Sequence, residues 1–200
     1  HEACALMLPT SLEFLCVTFG ILLAGGVPVP IYPPFRLSQL EDHLRRQAGI
    51  LSNAKATLLV TVREGRRFGN LLKAEAASLR GVVTPEELEA HAPMANVATV
   101  AGEDTALIQY TSGSTGNPKG VVLTHSQLLA NIRAMGRAAR VSSKDVFVSW
   151  LPLYHDMGLI GAWLGSLYYA MSLVLMAPTS FLARPSRWLW AIHSHRATIS

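Results

Sequence analysis

The sequence predicts an α/β protein: mixed, largely parallel sheets flanked by helices. Three observations predict it. Short, wholly apolar runs of strand length alternate with stretches that repeat apolar residues at the helical period. Glycine, proline and capping residues stand at the junctions between them. Of the 200 residues, 50% are hydrophobic and 15% charged, enough to bury a sizeable core and too apolar for a disordered chain.

Taken in order, the chain opens in an apolar run, without the charged, apolar and cleavage regions of a signal peptide. It begins at His1 and closes on "RATIS" with no helix stop, so it reads as a fragment of a larger fold. Thr10-Ser11 cap a helix over Leu12 to Ala24, which Gly25-Gly26 end. "VPVPIY" is extended, and its alternate prolines remove ladder donors, so it is an edge strand or a strand exit. Leu37, Leu40, Leu44, Ala48 and Leu51 share one face of a helix. "ATLLVTV" from Ala56 is a buried strand, followed by a helix over Arg66 to Ser78 and a short "GVVT" strand. Thr84 and Pro85 start a further helix, with Glu86 and Glu87 at its positive end. The small residues of "PMANVATVAGED" mark a seam, giving a first subdomain over 1–102 and a second portion over 103–200. "TALIQYT" and "GVVLTH" are strands on either side of one loop. A helix over Ser126 to Arg140, a "DVFVSWLP" strand, a "GLIGAWLGSLYYA" helix, an "SLVLMAP" strand and a helix over Arg184 to His193 complete the chain.

Charge and cysteine usage narrow the function classes. The first hundred residues hold nine Lys/Arg and nine Asp/Glu, the second hundred eight and four. The whole excess of +4 therefore lies in the half with the loop. Arg45-Arg46 and Arg66-Arg67 are isolated pairs, not a nucleic-acid stripe. Cys4 and Cys16 sit among apolar residues without metal-ligand spacing, which fits reduced thiols in a cytoplasmic protein. Met157 to Pro178 carries no formal charge over 22 residues, but it divides into a glycine-containing helix and a strand, so no transmembrane span is expected.

The loop is "TSGSTGNPKG", Thr111 to Gly120. Gly113 and Gly116 let the backbone approach a ligand and turn successive N–H groups inward as an anion nest. Thr111, Ser112, Ser114 and Thr115 add hydroxyl donors, Lys119 supplies a point charge, and Pro118 restricts the chain beside it. This is a cradle for polyphosphate. It is not a Walker loop, because Lys119 leads into a strand rather than a helix and no Ser/Thr follows it. The plain alternative is a hairpin loop of small residues.

The run "YTSGSTGNPKGVVLTH" resembles the signature loop of the adenylate-forming superfamily, which includes acyl-CoA synthetases, fatty acyl-AMP ligases and peptide-synthetase adenylation domains. The resemblance implies the partial N-terminal domain of such an enzyme. It also implies that Thr111, Ser112, Gly113, Ser114, Thr115, Gly116 and Lys119 bind the phosphates of ATP while a carboxylate attacks the α-phosphorus.

A second motif, "SWLPLYHDMGLIG", runs from Ser149 to Gly161 where a strand passes to a helix, a usual place for ligand contacts in α/β sheets. Asp156 alone could be a helix cap and His155 a structural histidine. By resemblance to the fatty acyl-AMP ligase branch, Tyr154, His155, Asp156, Met157 and Gly158 border the carboxylate substrate. The helix after Gly158 lines an acyl tunnel or simply packs tightly through Ala162, Gly165 and Ser166. The segment from Gly26 to Ala54 is similar to the same branch.

The resemblance further implies a fatty acid substrate, ATP with Mg2+, and an acceptor thiol on an acyl carrier protein or a polyketide synthase carrier domain. A CoA ligase or a non-catalytic nucleotide-binding relative are the alternatives. The catalytic Lys, the magnesium ligand and the mobile C-terminal domain are expected downstream of Ser200, so the fragment alone is expected to be inactive.

Overall fold

The computed structural model describes residues 2–33, 40–111 and 118–200. They form two compact units, His1–His125 and Ser126–Ser200.

The first unit is built on a parallel sheet. Its strands are β1 (Ala3–Met7), β2 (Val27–Pro30), β3 (Leu58–Thr61) and β4 (Gly81–Val83), in the order β2-β1-β3-β4. Between them run α1 (Leu12–Leu23), α2 (Leu40–Asn53) and α3 (Arg66–Glu75), the last entered through a 3-10 turn at Arg63–Gly65. The central strand β1 was not assigned from the sequence. Ala5, Leu6 and Met7 are buried to 1% or less, so it is a strand covered on both faces and shows no alternation to read.

The other expectations hold locally. Ser11 caps α1 by accepting from the Phe14 N–H. Strand β2 is an edge, as its prolines require: Val27 and Ile31 donate to Glu2 and Leu6, while Pro28 and Pro30 fall between them. Helix α2 begins at Leu40; the expected start at Leu37 lies outside the described residues. One core cluster gathers Met7, Val29, Ile31, Leu51, Leu59, Phe68 and Leu72 between the sheet and its helices. Thr84 and Glu87 form a reciprocal capping box at α4 (Pro85–Glu89), and Glu87 also meets Arg66.

Two further strands, β5 (Thr105–Thr111) and β6 (Lys119–Thr124), make a separate antiparallel ladder. Strand β5 packs against β2, yet no ladder joins them.

The second unit contains α5 (His125–Ala139), β7 (Val146–Ser149), a π-helix (Met157–Leu164), α6 (Gly165–Tyr168), β8 (Ser172–Leu175), α7 (Pro178–Ala183) and α8 (Ser186–His195). Strand β7 pairs in parallel with β8, and Phe147 bridges in parallel to Ile199. The sequence led to one continuous helix after Gly158, whereas the first eight residues are π-helical. Gly158, Leu159, Ile160, Ala162 and Trp163 are all buried, so the segment shows no single apolar stripe. Helix α7, opened by Pro178 and absent from the sequence expectation, lies between β8 and α8. Among the described residues no helix is long and apolar enough to cross a membrane.

Candidate functional site

The residues singled out by sequence fall into two groups, one in each unit. In the first unit, the ladder of β5 and β6 sets Thr111 opposite Lys119. The two arms of the signature loop therefore leave from facing positions, with a hydroxyl on one side and an ammonium on the other. Both residues are exposed. Ser112, Gly113, Ser114, Thr115 and Gly116 lie outside the described residues.

The hairpin is held in place by two residues of the quoted run to which no ligand contact was assigned. Tyr110 donates its hydroxyl to Asn53 Oδ1 in α2, tying the end of β5 to the core layer. Burial pushes the Tyr110 phenol above its ordinary range, so it stays a neutral donor. Gly120 lies beneath that ring: a Cβ there would approach Tyr110 Cζ at 2.9 Å. Gly120 thus leaves room for the ring, one residue after Lys119. The apolar β-strand pattern of "GVVLTH" could have located the pair, but not the tyrosine that covers it.

In the second unit, β7 ends at Ser149 and the chain turns through Leu151 to Asp156 into the π-helix. Leu153 is buried at 1% exposure and anchors the turn. Tyr154 is half-buried, His155, Asp156 and Met157 are exposed, and Gly158 is buried. Asp156 is the helix N-cap, its Oδ1 accepting from Met157 N–H at 2.8 Å. That oxygen also lies 2.6 Å from His155 Nδ1. The structure thus gives Asp156 both a capping position and an ionic neighbour. Sequence adjacency alone does not show that the two side chains meet.

A hydroxyl–ammonium loop mouth suits an anion with several oxygens. A carboxylate–imidazole turn before a buried apolar helix suits a ligand with a polar head and an apolar body. Among the described residues no group of three or more His, Cys, Asp or Glu is placed to hold a metal, and no magnesium ligand is assigned in this chain.

The family model described as "AMP-binding enzyme" matches residues 1–200. The chain belongs to the AMP-binding enzyme family, and its α/β fold is that of adenylate-forming enzymes. It is 32% identical over 206 residues to the medium-chain-fatty-acid–[acyl-carrier-protein] ligase JamA of Moorena producens, covering all of this chain and 34% of that protein. A putative acyl-CoA synthetase of Caulobacter vibrioides is 33% identical over 208 residues, again with all of this chain and 35% of the relative covered. Among solved structures, one from a study of fatty acyl-adenylate ligases of E. coli and L. pneumophila superposes with a TM-score of 0.91 at 34% identity, covering 100% of this chain and 36% of that one. The L. pneumophila fatty acyl-adenylate ligase in complex with acyl adenylate and pyrophosphate gives a TM-score of 0.78 at 28% identity, covering 98% and 34%. The chain spans about a third of the length of the relatives it matches.

Proposed function

We propose that this chain is the phosphate-binding part of an ATP-dependent ligase that activates a fatty acid as acyl-AMP, releasing pyrophosphate, and passes the acyl group to a carrier-protein thiol. The observation that carries the reading is the hairpin that sets Thr111 opposite Lys119 at the two ends of "TSGSTGNPKG". In this reading Thr111, Ser112, Gly113, Ser114, Thr115, Gly116 and Lys119 hold the phosphates of ATP. Their donors neutralise charge on the departing pyrophosphate, the place where electrostatic stabilisation contributes most to such a displacement. Tyr154, His155, Asp156, Met157 and Gly158 border the carboxylate. ATP enters with Mg2+, whose acidic ligand lies elsewhere in the enzyme. Residues 103–200, read as the second portion of the domain, carry both motifs.

The carrier-protein acceptor is supported by the printed activity of the Moorena relative. The printed name of the Caulobacter relative favours a second reading, transfer to CoA.

The test uses the full-length protein. Fatty-acid-dependent exchange of labelled pyrophosphate into ATP is expected, and Lys119→Ala should lower kcat/KM by about 100-fold, the scale of losing one charge-stabilising donor. Because Lys119 is exposed, its thermal midpoint should stay unchanged. Absence of exchange with every chain length, or an unaffected Lys119→Ala protein, overturns the reading. Supplying CoA and holo-carrier protein in parallel separates the two acceptors.

A further inference from the structure

We propose that Tyr110 is a positioning residue for the signature loop: its side chain, laid over Gly120 and latched to Asn53, sets the spacing and twist at which Thr111 and Lys119 meet a polyphosphate. The inference rests on the phosphate-binding reading of that loop.

The hairpin is a weak element without such a latch. Strands β5 and β6 pair with each other, and no ladder joins them to another described strand. Four of the six residues of β6 are exposed. A two-stranded ribbon is marginal by itself and twists strongly, so the separation of its two ends needs support from outside the ladder.

Tyr110 gives that support from one face. It stands directly opposite Gly120, as Thr111 stands opposite Lys119. Neighbouring strand residues face opposite sides, so the tyrosine takes one face and the Thr111–Lys119 pair the other. Ile108 and Tyr110 pack against the core cluster of the first sheet, which makes theirs the inner face. The bare Cα of Gly120 admits the tip of the ring: a Cβ there would stand 2.9 Å from Cζ and 3.1 Å from the hydroxyl oxygen. That hydroxyl donates to Asn53 Oδ1. One side chain thus touches β5, β6 and the end of α2.

The anchor is firm. Asn53 is the last residue of α2, and two backbone bonds close that end. Lys55 N–H donates to the Ser52 carbonyl at 3.1 Å and Ala56 N–H to the Leu51 carbonyl at 2.9 Å. Lys55 takes the left-handed conformation that this closure requires, with φ 52°. Leu51 and Ala56 are buried at 0% exposure, so the closed end is seated in the core. Asn53 therefore presents its acceptor from a fixed point. A shift of β6 against β5 has to displace the ring from Gly120 or break the bond to Asn53.

The experiment is calorimetric titration of the full-length protein with inorganic pyrophosphate. Tyr110→Phe deletes the hydroxyl and keeps the ring; Asn53→Ala deletes the acceptor. Each should raise Kd about 5-fold, the scale of one lost hydrogen bond. Because both cut the same bond, the double variant should also stay near 5-fold, whereas independent losses would multiply to about 25-fold. Thr84→Ala is the control: it weakens the same unit through the α4 capping box, and its lower thermal midpoint should leave Kd unchanged. In the exchange assay, KM for ATP should rise with Kd while KM for the fatty acid moves less than about two-fold. A Kd within about two-fold of wild type in either single variant, a double variant near 25-fold, or an equal rise in Thr84→Ala overturns the proposal. Should Tyr110→Phe fail to fold, Asn53→Ala still decides it, since Asn53 is exposed. A wild type that binds no pyrophosphate overturns the proposal too. One that binds pyrophosphate but shows no fatty-acid-dependent exchange defeats the ligase reading alone.

Discussion

The two units of this chain are held together by different means. In the first, the largest fully buried side chains include Phe14, Leu6, Met7, Leu51, Leu59 and Leu72, packed over one parallel sheet. In the second, helices α7 and α8 bury no residue, and Leu182, Leu189 and Trp190 are each more than 60% exposed. There the edge of β7 is secured by polar staples. Thr198 Oγ1 donates to Asp145 and accepts from Val146 N–H, and Ser200 Oγ links the Trp188 indole to the Val148 carbonyl. The contrast teaches that an alternating α/β pattern specifies elements in both units, while in the second most of the buried apolar residues lie on β7, the following turn and the π-helix, as at Val148, Leu153, Leu159 and Trp163, and the last residues are tied to β7 by polar contacts.

The sharpest way to break this comparison is truncation in the two apolar layers. Leu59→Ala, at 0% exposure, should cost about 3 kcal/mol, whereas Leu189→Ala on α8 should change stability by less than about 0.5 kcal/mol. Urea denaturation of both variants gives the answer; equal costs would erase the distinction.

A smaller effect tests whether the first unit also depends on local polar devices. Thr84→Ala removes one half of the α4 capping box and should cost about 1 kcal/mol, read as a lower urea midpoint with an unchanged slope.

The smallest effect belongs to the staples. The Thr198 hydroxyl, then the Ser142 N–H and hydroxyl, hold the Asp145 carboxyl below its ordinary value of 3.8. A depressed acid stabilises the fold above its unfolded pKa and loses that contribution as pH falls through the folded one. Thermal midpoints between about pH 5 and pH 2 should therefore fall further in the wild type than in Asp145→Asn. Parallel curves would mean that the staple contributes nothing, as exposed polar contacts often do.

Much of this was legible in the residues. The capping serine and threonine, the prolines of β2 and the strands around the signature loop all act over a few positions, where local chemistry decides the outcome. Strand β1 was not legible, because four of its five residues are buried, on both faces, and carry no period. The π-helix was not legible either, since its residues are buried on several sides and show no stripe that separates a π from an α ladder. In the candidate site, residue types pointed to a polyphosphate loop, most of which lies outside the described residues, and to an aromatic–histidine turn. The ring of Tyr110 over Gly120, and the approach of Asp156 to His155 Nδ1, depend on tertiary placement and rotamer, which a string of letters does not encode.

The prolines of β2 have one more effect. Pro28 and Pro30 occupy the positions whose N–H groups would otherwise point away from β1. The flank of the four-stranded sheet offers no donors at those two positions, and β5 packs beside β2 without a ladder between them. The signature hairpin is therefore tied to the layer beside it by a side chain, the Tyr110 hydroxyl on Asn53 Oδ1, and by packing, and not by a ladder with β2.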